Sequence, residues 1–171
     1  MISLVQTKSN NGANYVNVYT ITPTSNVTAG SHLILTLPLD AVGYTIASIV
    51  DTQLNTWTLI DSEVSDSKLV YMYYAENVAG GATTVTVTFG AAQFADVSGI
   101  IREYSGLATS SSLDKTAKGN SGTNFVQNHT TVASANTTQN DELVVVGAVG
   151  SAVAPTWALG SGYSNLATQD G

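Results

Sequence analysis

The chain contains no cysteine. Disulfides, thiolate metal sites and a cysteine nucleophile are therefore excluded. Charge is nearly as scarce. Asp, Glu, Lys and Arg make up 10% of the residues, against about 25% in an average soluble domain. Positive charge is rarest: Lys8, Lys68, Arg102, Lys115 and Lys118 stand against 12 acids, for a net charge of −7. These cations are scattered. No basic stripe exists to displace counterions from a phosphate backbone, which speaks against nucleic-acid binding. An anionic membrane surface would repel the chain, and no apolar run approaches the roughly 18 to 20 residues of a spanning helix. A basic region followed by an apolar one is also missing at the start, so no secretory leader is read there. Instead, Ile2 to Thr7 already reads as a strand.

What is present is apolar and uncharged-polar. The 171 residues are 43% apolar, enough for one domain with a core. Ser, Thr and Asn stand where Lys and Glu usually do, and Thr suits a half-exposed pleated strand. Thr83 to Phe89 alternates strictly, with Val85, Val87 and Phe89 on one face and threonines on the other. Lys68 to Ala75 is a second strand. The turn-rich link Glu76 to Ala82 predicts that these two pair antiparallel. Further strands are expected at Tyr15 to Thr22, His32 to Leu37 (ending at Pro38), Ala47 to Val50, Thr56 to Ile60 and Val97 to Tyr104, with a weaker one at Thr130 to Ala133. Leu143 to Val149 is continuously apolar, the pattern of a central strand covered on both faces. No amphipathic helix is evident. The sum is an all-β antiparallel sandwich of jelly-roll or Ig-like topology in one domain, 1–171. Residues 109–128 are polar and read as a long surface excursion, a mobile loop or an interface arm.

Chemistry leaves faint signals. His32 begins a strand and His129 lies near the polar excursion; with no nucleophile elbow, both read as surface or strand-edge residues. A glycosidase needs two carboxyl groups across a cleft. Glu76 and Glu103 lie beside Tyr73, Tyr74 and Tyr104, but as polar residues closing strands they need no catalytic role. Calcium would draw on oxygen ligands in loops: Asp51 and Asn55 in one, Asp61, Glu63 and Asp66 in the next, though without an EF-hand pattern. No other cofactor is expected. A glycan would be met by aromatic rings, with Trp57, Tyr71, Tyr73, Tyr74, Trp157 and Tyr163 as the candidates. Tyr71 and Tyr73 share a strand face, with Val70, Met72 and Tyr74 on the other, and one of these faces must be core.

Several stretches together resemble a β-sandwich module of bacterial secreted multidomain proteins and phage virion proteins. They are Val27-Thr28-Ala29-Gly30, Ile49-Val50-Asp51-Thr52 with Asn55-Thr56-Trp57-Thr58-Leu59, and Tyr73 to Gly81 running into Thr83 to Val87. Glu103-Tyr104-Ser105-Gly106-Leu107 with Leu113-Asp114, Asn140 to Leu143 and Gly160-Ser161-Gly162-Tyr163 complete the set. The resemblance implies a sandwich without catalytic residues. It also implies final strands that are missing or shared with a neighbouring chain, because such modules continue beyond the Gly160 to Tyr163 turn. The expected function is non-enzymatic: a decoration, structural or adhesion protein on a phage virion surface, with capsid or tail neighbours or its own copies as partners. The alternative is a carbohydrate-binding or adhesin module of a larger extracellular or bacterial cell-surface protein.

Overall fold

In the strand Val85–Phe89 the valines and Phe89 are buried and the threonines between them half-exposed. That alternation repeats through an all-β structure. The computed structural model describes residues 1–11, 16–40, 42–65, 67–90, 97–119, 136–139 and 141–149. Among the described residues there are eight strands and no helix: β1 Ser3–Asn11, β2 Val18–Ile21, β3 His32–Leu39, β4 Ile46–Asp51, β5 Thr58–Ser65, β6 Lys68–Ala75, β7 Val85–Phe89 and β8 Ser98–Ser105. They form two antiparallel sheets, ordered β1-β8-β3-β6-β5 and β2-β7-β4. The pairs β1–β8, β2–β7 and β3–β6 nest one inside the next, whereas β5 pairs with β6 and not with β4. The sheets stay open; four edge strands remain.

The core lies between the sheets. Leu33, Leu35 and Leu37 of β3 have no exposed surface, and they pack with Leu69, Ala75 and Ile101 against Tyr19, Ile21, Val85, Val87 and Phe89. Truncating one such leucine to alanine costs about 2–5 kcal/mol. Gly99 lets the sheets approach at one point. A Cβ there would stand 2.5 Å from the Tyr19 hydroxyl oxygen, which donates to the Asn10 carbonyl at 2.8 Å. Burial pushes the Tyr19 phenol far above its ordinary value.

Three expectations are corrected. First, β6 and β7 do not pair: β6 lies between β3 and β5, and β7 between β2 and β4. The link between them crosses from one sheet to the other, carrying Val78 into the core. Second, β3 runs through Pro38 to Leu39. Its ladder to β8 lapses after Thr36, so a residue without an N–H is accommodated there. Third, Leu143 to Val149 is no central strand, and no ladder joins it to the eight strands. Leu143, Val145, Gly147 and Val149 are half-buried, whereas Val144, Val146 and Ala148 are exposed.

That segment lies over the outer face of the five-stranded sheet. A Cβ on Gly147 would come within 3.0 Å of Met72 Cγ and Thr36 Cγ2. The register places Ile34, Thr36, Met72, Ile100 and Arg102 together on this face. Ile34, Thr36, Val70, Ile100, Arg102 and Tyr104 are all buried. The middle strands β3, β6 and β8 of the large sheet thus carry buried residues on both faces.

The edges are guarded. β1, β4 and β5 each carry a register irregularity, between Leu4 and Gln6, Ile46 and Ser48, and Leu59 and Asp61. The fourth edge strand, β2, has only four residues. Bulged or short edges resist running on into a neighbour's sheet. β8, the last strand among the described residues, is paired on both sides. The expected completion of the sheet beyond Tyr163 falls outside the described residues, as do the weak strand at Thr130 to Ala133 and the part of the excursion past residue 119.

Candidate interaction site

Asp51 ends β4 with its side chain turned inward and 4% exposed. Both carboxylate oxygens accept hydrogen bonds. Oδ1 takes the backbone N–H groups of Gln53 at 2.8 Å and Asn55 at 3.2 Å. Oδ2 takes Trp57 Nε1 at 2.8 Å and Asn55 Nδ2 at 3.1 Å. Asp is the residue type for such a turn, because its short side chain reaches back to backbone donors ahead of it. Asn55 passes the tie onward: its Oδ1 accepts from the Ala79 N–H at 2.7 Å. Thr52 binds the same neighbouring connection twice, donating to the Ala82 carbonyl at 3.0 Å and accepting from the Thr84 N–H at 3.0 Å. Gln53 Nε2 adds a bond to the Ala82 carbonyl at 2.9 Å.

The product of this stitching is the position of Leu54. Its φ is 59°, the left-handed region that costs an L-residue roughly 1–2 kcal/mol. Its N–H donates to the Asp51 carbonyl at 3.1 Å. The side chain points away from everything and is 87% exposed. A buried carboxylate thus holds a bare leucine in a strained turn at the end of the sandwich. Beside the turn lies a shallow hollow, lined by Thr22, Thr24, Ser25, Asn26, Thr52 and Thr84 among others.

The candidates read from the sequence fall into place around this turn. Asp51 and Asn55 do come together, but their oxygens are taken by N–H donors. Asp61 stands apart on β5, in an ion pair with Lys118 at 3.0 Å; the Lys118 ammonium and the Ser62 N–H hold its carboxyl below the usual range. Among the described residues no group of three or more His, Asp or Glu side chains could hold a metal. Trp57, Tyr71 and Tyr73 pack half-buried against the core. Tyr71 donates to the Tyr44 carbonyl at 2.7 Å, and its ring centre lies 6.2 Å from that of Tyr73. Burial raises both phenols. The tyrosine face of β6 is therefore the one turned toward the opposing sheet. Trp157, Tyr163, Asp66 and His129 lie outside the described residues.

Glu76 and Glu103 are separated by their duties. Glu76 accepts from the Ser112 N–H at 3.0 Å, the Ser112 hydroxyl at 2.8 Å and the Ser111 N–H at 3.3 Å, and these bonds hold its carboxyl below the usual range. Glu103, 1% exposed, accepts from the Thr28 N–H at 2.8 Å and Gln6 Nε2 at 2.6 Å. His32 is no surface or edge residue, contrary to its reading from the sequence: it is 2% exposed, on a strand paired on both sides.

Leu54 was missed in the sequence. A lone leucine in Asp51-Thr52-Gln53-Leu54-Asn55 was the available signal, an apolar residue where a polar turn needs none. Comparison with family models, with curated proteins and with solved structures finds no match.

Proposed function

We propose that the chain is a non-enzymatic structural or adhesive module on the exterior of a phage particle, docked to a neighbouring protein through the Leu54 turn. The observation that carries this is Leu54 itself, exposed and conformationally strained yet fixed by the Asp51 hub. Strain maintained by surrounding structure marks a site with a purpose beyond folding. A rigid apolar tip requires little ordering on contact, which favours protein docking. Two further features support the reading. The carboxylates nearest the aromatic residues, Asp51, Glu76 and Glu103, serve the fold as acceptors. The bulged and short edges keep the sandwich a discrete unit that meets partners by turns and faces. The resemblance to virion β-sandwich modules supplies the setting.

The test is Leu54→Gly. Glycine accepts the left-handed turn without strain, so the variant gains about 1 kcal/mol of stability. Its incorporation into purified particles, read by quantitative immunoblot against the wild type, should fall at least tenfold, the effect of losing about 1.4 kcal/mol of contact. Undiminished incorporation removes Leu54 from the contact. Wild-type chain absent from particles and found on the bacterial surface replaces the virion reading with the adhesin one.

A further inference from the structure

Four buried polar atoms on or beside β3 have no bond to explain them. His32 Nδ1 and Nε2, Ser31 Oγ and Thr36 Oγ1 are all buried without a hydrogen-bond partner. Leaving such groups unpaired is costly, and each requires an account. Beside His32 the chain leaves β8 and turns back along the sheet end. The Ala108 carbonyl lies near the imidazole without making a full hydrogen bond to it. Glu76 then grips Ser111 and Ser112, and Lys118 fastens the strap to Asp61 and the Ser62 carbonyl on β5. Asp114 ties the strap to Thr138 at 2.7 Å, leading toward the segment that covers Thr36 and Met72.

We propose that His32 and the strap of residues 107–119 form an acid-sensitive latch: protonation of the buried imidazole releases the strap and, with it, the cover over the outer face of the large sheet. The groups facing His32 come from each element packed on it. β8 contributes Tyr104, directly opposite, with Arg102 next on the same face. The end of β6 contributes Tyr74 and Glu76. The strap contributes the Ala108 carbonyl and no ionisable side chain before Asp114.

Burial pushes the His32 imidazole below its ordinary value of 6.5, against the smaller opposing pull of Glu76 and the Ala108 carbonyl. The released ring therefore holds a proton more tightly than the buried one. The closed state keeps its full stability above 6.5 and loses it as pH falls through that value. Each pH unit by which burial lowers the folded value shifts opening by about tenfold once the pH is below both values. The acids of the latch stay ionised in this window, because Glu76, Asp61 and Asp114 are all held below their ordinary carboxylate values. Histidine is then the group that responds.

The experiment is hydrogen exchange by mass spectrometry on the full chain at about pH 7.5 and 5.5, the range in which histidine titrates. Rates are corrected for intrinsic pH dependence. The wild type should lose protection at the lower pH, by up to about tenfold, in peptides covering Leu107 to Lys118 and Leu143 to Val149, with β7 unchanged. His32→Phe should abolish the response, and His129→Gln should preserve it. If His32→Phe fails to fold, His32→Gln carries the same expectation. Unchanged protection in the wild type, or an undiminished response in either folded His32 variant, overturns the latch.

Discussion

Leu33, Leu35 and Leu37 point to one side of β3, and His32, Ile34 and Thr36 to the other. Both rows are buried, but by different means. The inner row meets a second sheet whose backbone groups are paired in ladders, with apolar side chains opposite apolar ones. The outer row meets an extended segment that no ladder joins to the strands, and it includes an imidazole and a hydroxyl without partners, at His32 and Thr36. Burial alone therefore does not rank the two faces. A cover held by side-chain ties and a few half-buried residues opens at lower cost than a cover that is itself a sheet.

The largest effect expected from this contrast is at Leu35. Leu35→Ala should lower stability by about 3–5 kcal/mol, and Ile34→Ala by about 2, because the outer cover can relax into the space left behind. Urea midpoints measure both, and equal losses would break the distinction between the faces. Next comes Gly147→Val, which places branched carbon where Met72 and Thr36 already stand. It should cost about 1–3 kcal/mol if the cover is fully seated, or less as the flexible Met72 end yields. The loss of exchange protection should stay within Leu143 to Val149; spread into β7 would show that the two faces are not independent. Smallest is Thr36→Val. It removes a buried hydroxyl with no partner at nearly constant volume, so thermal unfolding should be unchanged or shifted up by about 1 kcal/mol. A clear loss would mean that the hydroxyl has a role in holding the cover.

The strands were largely legible because their signal is local. β6 spans Lys68–Ala75, the residues that alternation marks, and Tyr19 and Ile21 share the buried face of β2 as period 2 requires. Pairing was less legible. The link from Glu76 to Thr84 has turn composition whether it closes a hairpin or crosses between layers. Only Val78, the one large apolar residue in the link, marks the crossing. Leu143 to Val149 misled for the opposite reason: with no polar member, it gives no sign of which side chains face out. At the site, the grouping of Asp51 and Asn55 could be read from their shared loop, but not their chemistry, nor the bond that brings Trp57 to the same carboxylate. A carboxylate that caps a turn and one that waits for a cation look alike until their donors are seen. The burial of His32 depends on a strap that begins 75 residues later in sequence, at Leu107, and periodicity carries no information over that distance.

The pairing of β1 with β8 has a consequence in time. Ser3 stands opposite Ser105, 102 residues further along the chain, so β1 leaves the ribosome well before the strand it pairs with. At about 5–20 residues per second, that interval lasts on the order of 5–20 seconds. Through it β1, with its half-exposed Val5, is a free β-segment in a crowded cell. The irregularity between Leu4 and Gln6 arises only once β1 has paired with β8, so it guards the edge of the finished sandwich and leaves the nascent strand to depend on prompt pairing.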